Sequence, residues 1–133
     1  MKAVLDASAM LAYLGGEAGG EIVAALLAEP NTECYAHAFN LCEVYYSYVR
    51  TTDKKTAQQV IATLRADGVI FRRDFSLSFW QAVGDLKATG GVSLPDCVCV
   101  ILAQHLGAEA VTSDRGEFTR LVPLGLCPIL FIR

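Results

Sequence analysis

The chain has 133 residues, a net charge of −3 and a hydrophobic content of 53%. This length predicts a single domain over residues 1–133, able to bury about two-thirds of the surface that its unfolded chain would expose. Charged or polar residues interrupt every apolar run well before the roughly 20 residues that a bilayer span needs, so no membrane segment is predicted. The apolar run between Lys2 and Asp6 is too short for a signal-peptide core, and we expect a cytoplasmic protein.

Strands and helices alternate through the first half of the chain. The apolar run at residues 2–5 predicts a first strand, Asp6 follows it directly, and Ser8 is placed to begin a short helix that ends at Gly15 and Gly16. The next predicted elements are a helix over 21–29, a strand over 33–37, and helices over 38–50 and 54–66.

The predicted helix over 38–50 is apolar on more than one face. It carries a helical stripe of Phe39, Cys42, Tyr46 and Val49, with Tyr45 and Tyr48 off the stripe. Glu43 lies inside this run, where an unpaired carboxylate would be expensive to bury, so we expect something to compensate its charge. Asn40, three residues earlier on the same helical face, is a candidate to orient Glu43. The helices over 38–66 are our candidate for a dimer or partner contact.

The second half of the chain continues the alternation. Its predicted elements are a strand over 69–72, helices over 76–89 and 93–106, a strand over 108–112, a helix over 115–121 and a last strand over 127–132. Strands that alternate with helices imply a mostly parallel sheet covered on both faces, so we predict an α/β fold with about five short strands. In the helix over 76–89 we expect Phe79, Val83 and Leu86 to face inward and Trp80 to pack in the core.

Three aspartates stand where a parallel α/β fold places its chemistry. Asp6 and Asp114 each follow a predicted strand, and Asp96 lies in the first turn of a helix with Ser93 as its predicted cap and Asp96 as the capping partner. Ligands bind outside the carboxyl ends of such strands, so we expect these carboxylates to converge. Carboxylates without a cysteine or histidine partner suit a hard divalent cation such as Mg²⁺. Taken singly, each aspartate could equally be a cap or an ion-pair partner.

The polar residues beside these acids have two possible roles. Ser8, Thr112 and Ser113 could donate hydrogen bonds that fix the carboxylates. Ser8 and Ser113 are equally well placed to cap the helices that follow them. Glu117, three residues after Asp114, could be a fifth acid of the site, but we predict a solvated helix charge.

The five cysteines lack the paired spacing of a metal site. We predict reduced core thiols at all five positions, which are Cys34, Cys42, Cys97, Cys99 and Cys127. A zinc site built from Cys97, Cys99 and His105 is the alternative. For His37 and His105 we predict structural or surface roles.

The charge is unevenly distributed along the chain. Residues 1–49 carry one base and six acids, residues 50–73 six bases and two acids, and residues 74–133 four bases and six acids. The middle segment is thus a basic island, formed by Arg50, Lys54, Lys55, Arg65, Arg72 and Arg73. It could follow a phosphate backbone, while any single one of these residues could be an ordinary solvated charge.

Four stretches of the sequence resemble a known family. They are LDASAML at the start, FNLCEVYY around Glu43, LKATGGVSLPDCVCVILAQHLGAEAVTSD and the closing GEF. The chain resembles the PIN-domain ribonucleases, and within them the VapC-like toxins of bacterial and archaeal toxin–antitoxin pairs. The resemblance covers essentially the whole chain, with four acids in the expected order.

The resemblance implies a metal-dependent endoribonuclease that uses Mg²⁺ or Mn²⁺. Asp6, Asp96 and Asp114 would be the metal ligands, and Glu43 would hold a metal-bound water or orient the attacking one. The products would carry a 5′-phosphate and a 3′-hydroxyl. The resemblance also implies a homodimer and a cognate antitoxin whose C-terminal segment covers the acidic site.

Two other functions remain open at this point. The first is a catalytically silent PIN-like module that binds RNA or protein, although none of the four acids is missing. The second is a phosphotransfer domain of similar layout. A phosphatase of that kind needs a second aspartate where the chain has Ser8, and a receiver domain needs a lysine after a late strand, which the chain does not provide.

Overall fold

Five short strands form one parallel sheet in the computed structural model, which describes all 133 residues. The strands are β1 (Lys2–Leu5), β2 (Glu33–His37), β3 (Ile70–Arg72), β4 (Glu109–Thr112) and β5 (Ile129–Phe131). Their order across the sheet is β3-β2-β1-β4-β5, and every neighbouring pair is parallel. The predicted α/β fold with about five parallel strands is confirmed.

Seven α-helices connect the strands. They are α1 (Ala7–Gly15), α2 (Gly20–Ala28), α3 (Ala38–Thr51), α4 (Lys54–Ala66), α5 (Leu77–Ala88), α6 (Leu94–Leu106) and α7 (Arg115–Leu121), followed by a single 3₁₀ turn at Val122–Leu124. Each lies within about two residues of its predicted bounds. No single helix is long and apolar enough to cross a membrane; α1 and α2 reach that length and apolarity only as a pair, and they are bent by 94°.

The sheet separates two hydrophobic cores. On one face, Leu5 of β1 packs with Met10 of α1, Leu41 of α3 and Leu64 of α4. On the other face, Val4 of the same strand belongs to a cluster with residues of α5, α6 and α7. Successive side chains of a strand point to opposite faces, so a central strand with both faces covered is apolar at consecutive positions. The prediction of helices on both faces is confirmed.

The prediction that Trp80 packs in the core is wrong, since Trp80 is 44% exposed. Helix α5 buries Phe79, Val83 and Leu86 as predicted, and these positions define its inward stripe. Trp80 follows Phe79 by one residue, which rotates it by about 100° around the helix axis and away from that stripe.

Helix α3 buries a face other than its predicted apolar stripe. The buried positions are Asn40, Leu41 and Val44. The apolar stripe of Phe39, Cys42, Tyr46 and Val49 faces outward instead, and all four residues are exposed. The prediction of a core thiol is therefore wrong for Cys42, and an apolar stripe remains uncovered in the single chain.

The remaining cysteines and both histidines have structural surroundings. Cys34, Cys97 and Cys99 are buried free thiols, as predicted, and Cys127 is half-buried. The zinc alternative is not supported, because Cys97, Cys99 and His105 do not form a group close enough to hold a metal. The Nδ1 atom of His105 instead donates to the carbonyl of Ile101 at 3.0 Å.

Strands β1 and β4 form the switch point of the sheet. After β1 the chain enters α1 and the core of one face, whereas after β4 it enters α7 and the core of the opposite face. The chain thus leaves these adjacent strands in opposite directions, which opens a crevice outside their carboxyl ends. Such a crevice is the usual ligand site of an open parallel sheet.

Candidate active site

Asp6 lies at the floor of this crevice and is only 1% exposed. Its backbone N–H donates to the carbonyl of Val111 at 3.1 Å, which continues the pairing of β1 with β4. Its side chain caps α1, because Oδ1 accepts from the N–H of Ala9 at 2.8 Å. The helix therefore begins one residue earlier than predicted, and Asp6 is its cap in place of Ser8.

Two hydroxyl groups hold the carboxylate of Asp6. The Ser8 hydroxyl donates to Oδ1 at 2.7 Å, and the Thr112 hydroxyl donates to Oδ2 at 2.5 Å. Each hydroxyl oxygen also accepts a hydrogen bond from a backbone N–H. The N–H of Ser113 donates to the Ser8 hydroxyl and the N–H of Asp114 donates to the Thr112 hydroxyl, both at 2.9 Å. A hydroxyl has one proton to donate, so both hydroxyls are fully directed towards Asp6. Both hydroxyls thus donate to the Asp6 carboxylate, and Ser8 is not the cap of α1.

Burial raises the pKa of Asp6 from its ordinary value of 3.8 to about 6. The hydrogen bonds from Thr112, Ala9 and Ser8 stabilise the ionised form and act in the opposite direction, and the nearby charge of Asp114 adds a further rise. Desolvation raises the pKa of Asp6 by more than the three hydrogen bonds lower it. A cation bound beside this carboxylate would favour its ionised form.

Asp96 enters the crevice from the first turn of α6. Ser93 is the N-cap, as predicted, and its Oγ accepts from the N–H of Asp96 at 3.4 Å. The predicted reciprocal bond is wrong, however, because the N–H of Ser93 donates to Oε2 of Glu117 at 3.0 Å. Glu117 thus takes the capping role that the sequence assigned to Asp96, and the Asp96 carboxyl is free to face the other acids.

Asp114 and Glu117 complete the cluster from α7. Asp114 caps that helix, its Oδ1 accepting from the N–H of Glu117 at 3.2 Å, so the cap is Asp114 and not Ser113. Carboxylate oxygens of Asp96, Asp114 and Glu117 all lie within 4.8 Å of one another. The prediction of a solvated charge is wrong for Glu117. Its place three residues after a strand-end aspartate was the available signal, because residues at this spacing share a helical face.

The carboxyl groups of Asp96 and Glu117 share a hydrogen bond. Burial, that hydrogen bond and the charges of Asp6 and Glu117 hold the pKa of Asp96 far above its usual range. The same bond lowers the pKa of Glu117. Two carboxyls this close cannot both ionise without a counter-charge, so the metal-free pair keeps one proton on Asp96.

Glu43 faces the same cluster from α3. It is half-buried, and its carboxylate has no hydrogen-bond or ion-pair partner, so the expected compensation of its charge does not come from a protein group. Burial raises the pKa of Glu43, and the charges of Asp6 and Glu117 raise it further.

Asn40 connects α3 to the start of α6. It is fully buried, and its Nδ2 donates to the carbonyl of Pro95, the residue before Asp96, at 3.0 Å. Its Oδ1 has no partner. Asn40 therefore positions the turn that carries Asp96, whereas the sequence predicted that it would orient Glu43.

The donor set fits a hard divalent cation. It consists of carboxylate oxygens, and no Lys, Arg or His forms an ion pair with any of them. Mg²⁺ and Mn²⁺ bind carboxylate oxygens in preference to other protein ligands. The geometry of the cluster selects Asp96, Asp114 and Glu117 as one set. Asp6 is close enough to raise the pKa of Asp96, and Asp6 and Glu117 are close enough to raise the pKa of Glu43.

Residues 3–122 match the PIN domain family, and the chain belongs to that family. The predicted resemblance is confirmed at this level. No curated protein sequence matches the chain.

Solved structures of VapBC proteins have a similar fold. A chain of VapBC2 from Rickettsia felis, bound to a DNA fragment from their promoter, is 16% identical with a TM-score of 0.76, and 98% of each chain is covered. VapBC-1 from nontypeable Haemophilus influenzae is 17% identical with a TM-score of 0.71, covering 99% of this chain and 98% of that one. VapC20 from Mycobacterium tuberculosis, described as a Sarcin-Ricin loop cleaving toxin, is 15% identical with a TM-score of 0.70, covering 89% and 94%. At these identities the likeness shows a shared VapC-like PIN fold.

Proposed function

We propose that this protein is a metal-dependent endoribonuclease and the toxin of a type II toxin–antitoxin pair. The observation that carries the proposal is the convergence of five carboxyl groups at the switch point of the sheet without a cationic partner from the protein. Membership of the PIN domain family and a fold shared with a Sarcin-Ricin loop cleaving toxin support it.

Each part of the cluster has a chemical task in this proposal. Asp96, Asp114 and Glu117 would hold Mg²⁺ or Mn²⁺, and Asp6 would support it from the floor of the crevice. Such a cation would supply Lewis acidity, which would lower the pKa of a water molecule and stabilise charge on the leaving oxygen. Glu43 has no partner of its own, and its carboxylate orients the attacking water. The water oxygen would bond to phosphorus as the bond to the 3′-oxygen breaks, and one proton of that water would end on the 3′-oxygen, which gives a 5′-phosphate and a 3′-hydroxyl.

Partner binding follows from the surface of α3. Tyr46 and Val49 of its apolar stripe are 43% and 39% exposed, although neither belongs to the acidic cluster. Uncovered apolar side chains at helical spacing are typical of a protein interface. We assign this part of α3 to the homodimer contact, and the acidic crevice to the C-terminal segment of a cognate antitoxin. We propose that the protein forms these contacts in the cytoplasm.

The test is cleavage of labelled single-stranded and structured RNA by the purified protein with Mg²⁺ or Mn²⁺. Cutting should stop with EDTA and in Asp96→Asn, and should continue in Asp85→Asn, which removes an exposed acid of α5 outside the cluster. A folded protein that neither binds metal nor cuts RNA would contradict the proposal and favour a silent RNA- or protein-binding module.

A further inference from the structure

We propose that an aromatic pocket beside the acidic crevice binds an unstacked base of a single-stranded RNA, with Arg73 on the adjoining phosphate. The inference deepens the proposed function, because it names the form of RNA that this site accepts. The pocket has a volume of about 380 Å³ and is lined by His37, Ala38, Phe39, Cys42, Arg73 and Phe75. We call it the aromatic pocket.

The walls of the aromatic pocket offer π faces and few polar groups. The Nδ1 atom of His37 accepts from the N–H of Phe39 at 3.0 Å, so its Nε2 carries the proton and donates to the carbonyl of Asp74 at 2.8 Å. With both nitrogens satisfied, the ring acts as an apolar wall, and it stacks on Phe79 at a centroid distance of 5.5 Å. Phe75 leans against the same two rings at 6.5 and 6.2 Å and is 54% exposed. Rigid aromatic faces at an open pocket suit a flat ring.

The surface next to the aromatic pocket is positively charged, which favours binding of a polyanion. A second cavity of about 480 Å³ shares Ala38 and Arg73 with the aromatic pocket and adds Arg65, whose guanidinium lies 4.4 Å from the Phe71 ring centroid. Neither Arg65 nor Arg73 forms an ion pair. Arg72, by contrast, is neutralised by Asp74 at 2.8 Å. Two uncompensated guanidinium groups beside aromatic walls are the combination that binds single-stranded nucleic acids.

The aromatic pocket lies next to the acidic cluster, so one RNA strand could reach both. Phe39 and Cys42 line it, and Glu43 follows Cys42 and lies one helical turn after Phe39, a rise of about 6 Å along α3. Asn40 of the same turn holds the residue before Asp96. A base in the pocket would therefore fix a nucleotide next to the phosphate at the acids. A duplex keeps its bases stacked and paired, so it could not use this pocket.

The test measures binding separately from cleavage. We would use the Asp96→Asn protein in EDTA with two fluorescent oligomers, a mixed-sequence single-stranded RNA and the same sugar–phosphate chain without bases. Base stacking on one aromatic side chain changes affinity by about 5- to 150-fold. Phe75→Ala should weaken binding of the RNA by a factor in that range and leave the base-free chain unaffected. Arg73→Gln should weaken both and reduce the slope of log affinity against log salt by about 0.7.

Matched controls are Trp80→Ala, an exposed aromatic outside the pocket, and Lys2→Gln, an exposed basic residue at the amino end of β1 and hence at the sheet edge opposite the crevice. The proposal is overturned if Phe75→Ala behaves like Trp80→Ala, or if Arg73→Gln behaves like Lys2→Gln. It is also overturned if the pocket variants change the molecular mass in solution but leave RNA affinity unaltered, since the pocket would then be a protein contact. If the protein cleaves RNA but the pocket variants bind RNA like their controls, the aromatic pocket is refuted and the proposed nuclease is not. If binding depends on the bases but no metal-dependent cleavage occurs, the proposed nuclease is refuted and the aromatic pocket is not.

Discussion

The N–H of Ser93 donates to the carboxylate of Glu117 across 24 residues of sequence, at 3.0 Å. This bond ties the start of α6 to the first turn of α7 and brings Glu117 within 4.8 Å of Asp96 and Asp114. One side chain thus both caps a helix and supplies charge to the acidic cluster, and these two roles respond differently to substitution.

We expect Glu117→Gln to retain the fold and to lose metal affinity. The amide oxygen of Gln can still accept from Ser93, but the substitution removes one negative charge from the donor set. Mg²⁺ or Mn²⁺ affinity should fall by about 10- to 100-fold in titration calorimetry. Glu29→Gln, at an exposed position, is the control and should bind metal like the unmodified protein. Equal affinities in both variants would remove Glu117 from the metal site.

The metal-free protein should lose stability as pH rises from about 4 through about 6. The pKa of Asp6 is raised from 3.8 to about 6 in the folded state, so the folded state holds a proton that the unfolded state has released. A shift of about two pH units corresponds to about 3 kcal/mol, because each unit is about 1.4 kcal/mol. In Asp6→Asn this loss should be absent, so the free energy of unfolding of that variant should fall less between pH 4.5 and 7.5 than that of the unmodified protein.

Urea unfolding in EDTA from pH 4.5 to 8 measures this difference. Mg²⁺ at saturating concentration should restore the stability of the unmodified protein at pH 7.5 more than that of Asp6→Asn. Parallel stability curves for the two proteins across the pH range would show that Asp6 ionises freely in the folded state.

Ser8→Ala and Ser113→Ala should differ although both remove one hydroxyl from the same edge of the sheet. The Ser8 hydroxyl donates to Asp6 and accepts from the N–H of Ser113, so its loss leaves the part-buried Ser113 N–H unpaired and removes one of the two donors to Oδ1 of Asp6. We expect a cost of about 1–3 kcal/mol in unfolding free energy. The Ser113 side chain takes part in no hydrogen bond, and its removal should cost no more than about 0.5 kcal/mol. A larger loss for Ser113→Ala than for Ser8→Ala would contradict the network described above.

Tyr46→Glu and Val49→Glu should disrupt self-association without unfolding the chain. Both side chains lie on the exposed stripe of α3, so a charge there costs little in the monomer but would be buried unpaired in a dimer. Light scattering after size-exclusion chromatography should show half the mass of the unmodified protein. Leu124→Glu, at an equally exposed apolar position outside α3, should leave the mass unchanged. A monomeric unmodified protein would refute the homodimer.

The strand ends of this protein could be predicted from sequence because local apolar runs define them. Asp6 and Asp114 directly follow such runs, and parallel strands bring their carboxyl ends to one edge, so their convergence with Asp96 was predictable. The role of Glu117 was not, because the bond from Ser93 depends on how α6 and α7 pack. Periodicity likewise identified the stripe of α3 but could not say whether it faced the sheet or solvent.

The bond between Thr112 and Asp6 joins positions 106 residues apart, and it lies at the centre of the sheet. During synthesis β1 emerges before its partner β4 and the acids of α7, which follow only about 100 residues later. Contacts of such long sequence separation form late, since the loop between them must close before they can stabilise anything. A nascent or truncated chain that ends before residue 109 can hold Asp6, Glu43 and Asp96 yet cannot assemble the crevice. Synthesis of β4 and α7 is therefore itself the step that creates the site.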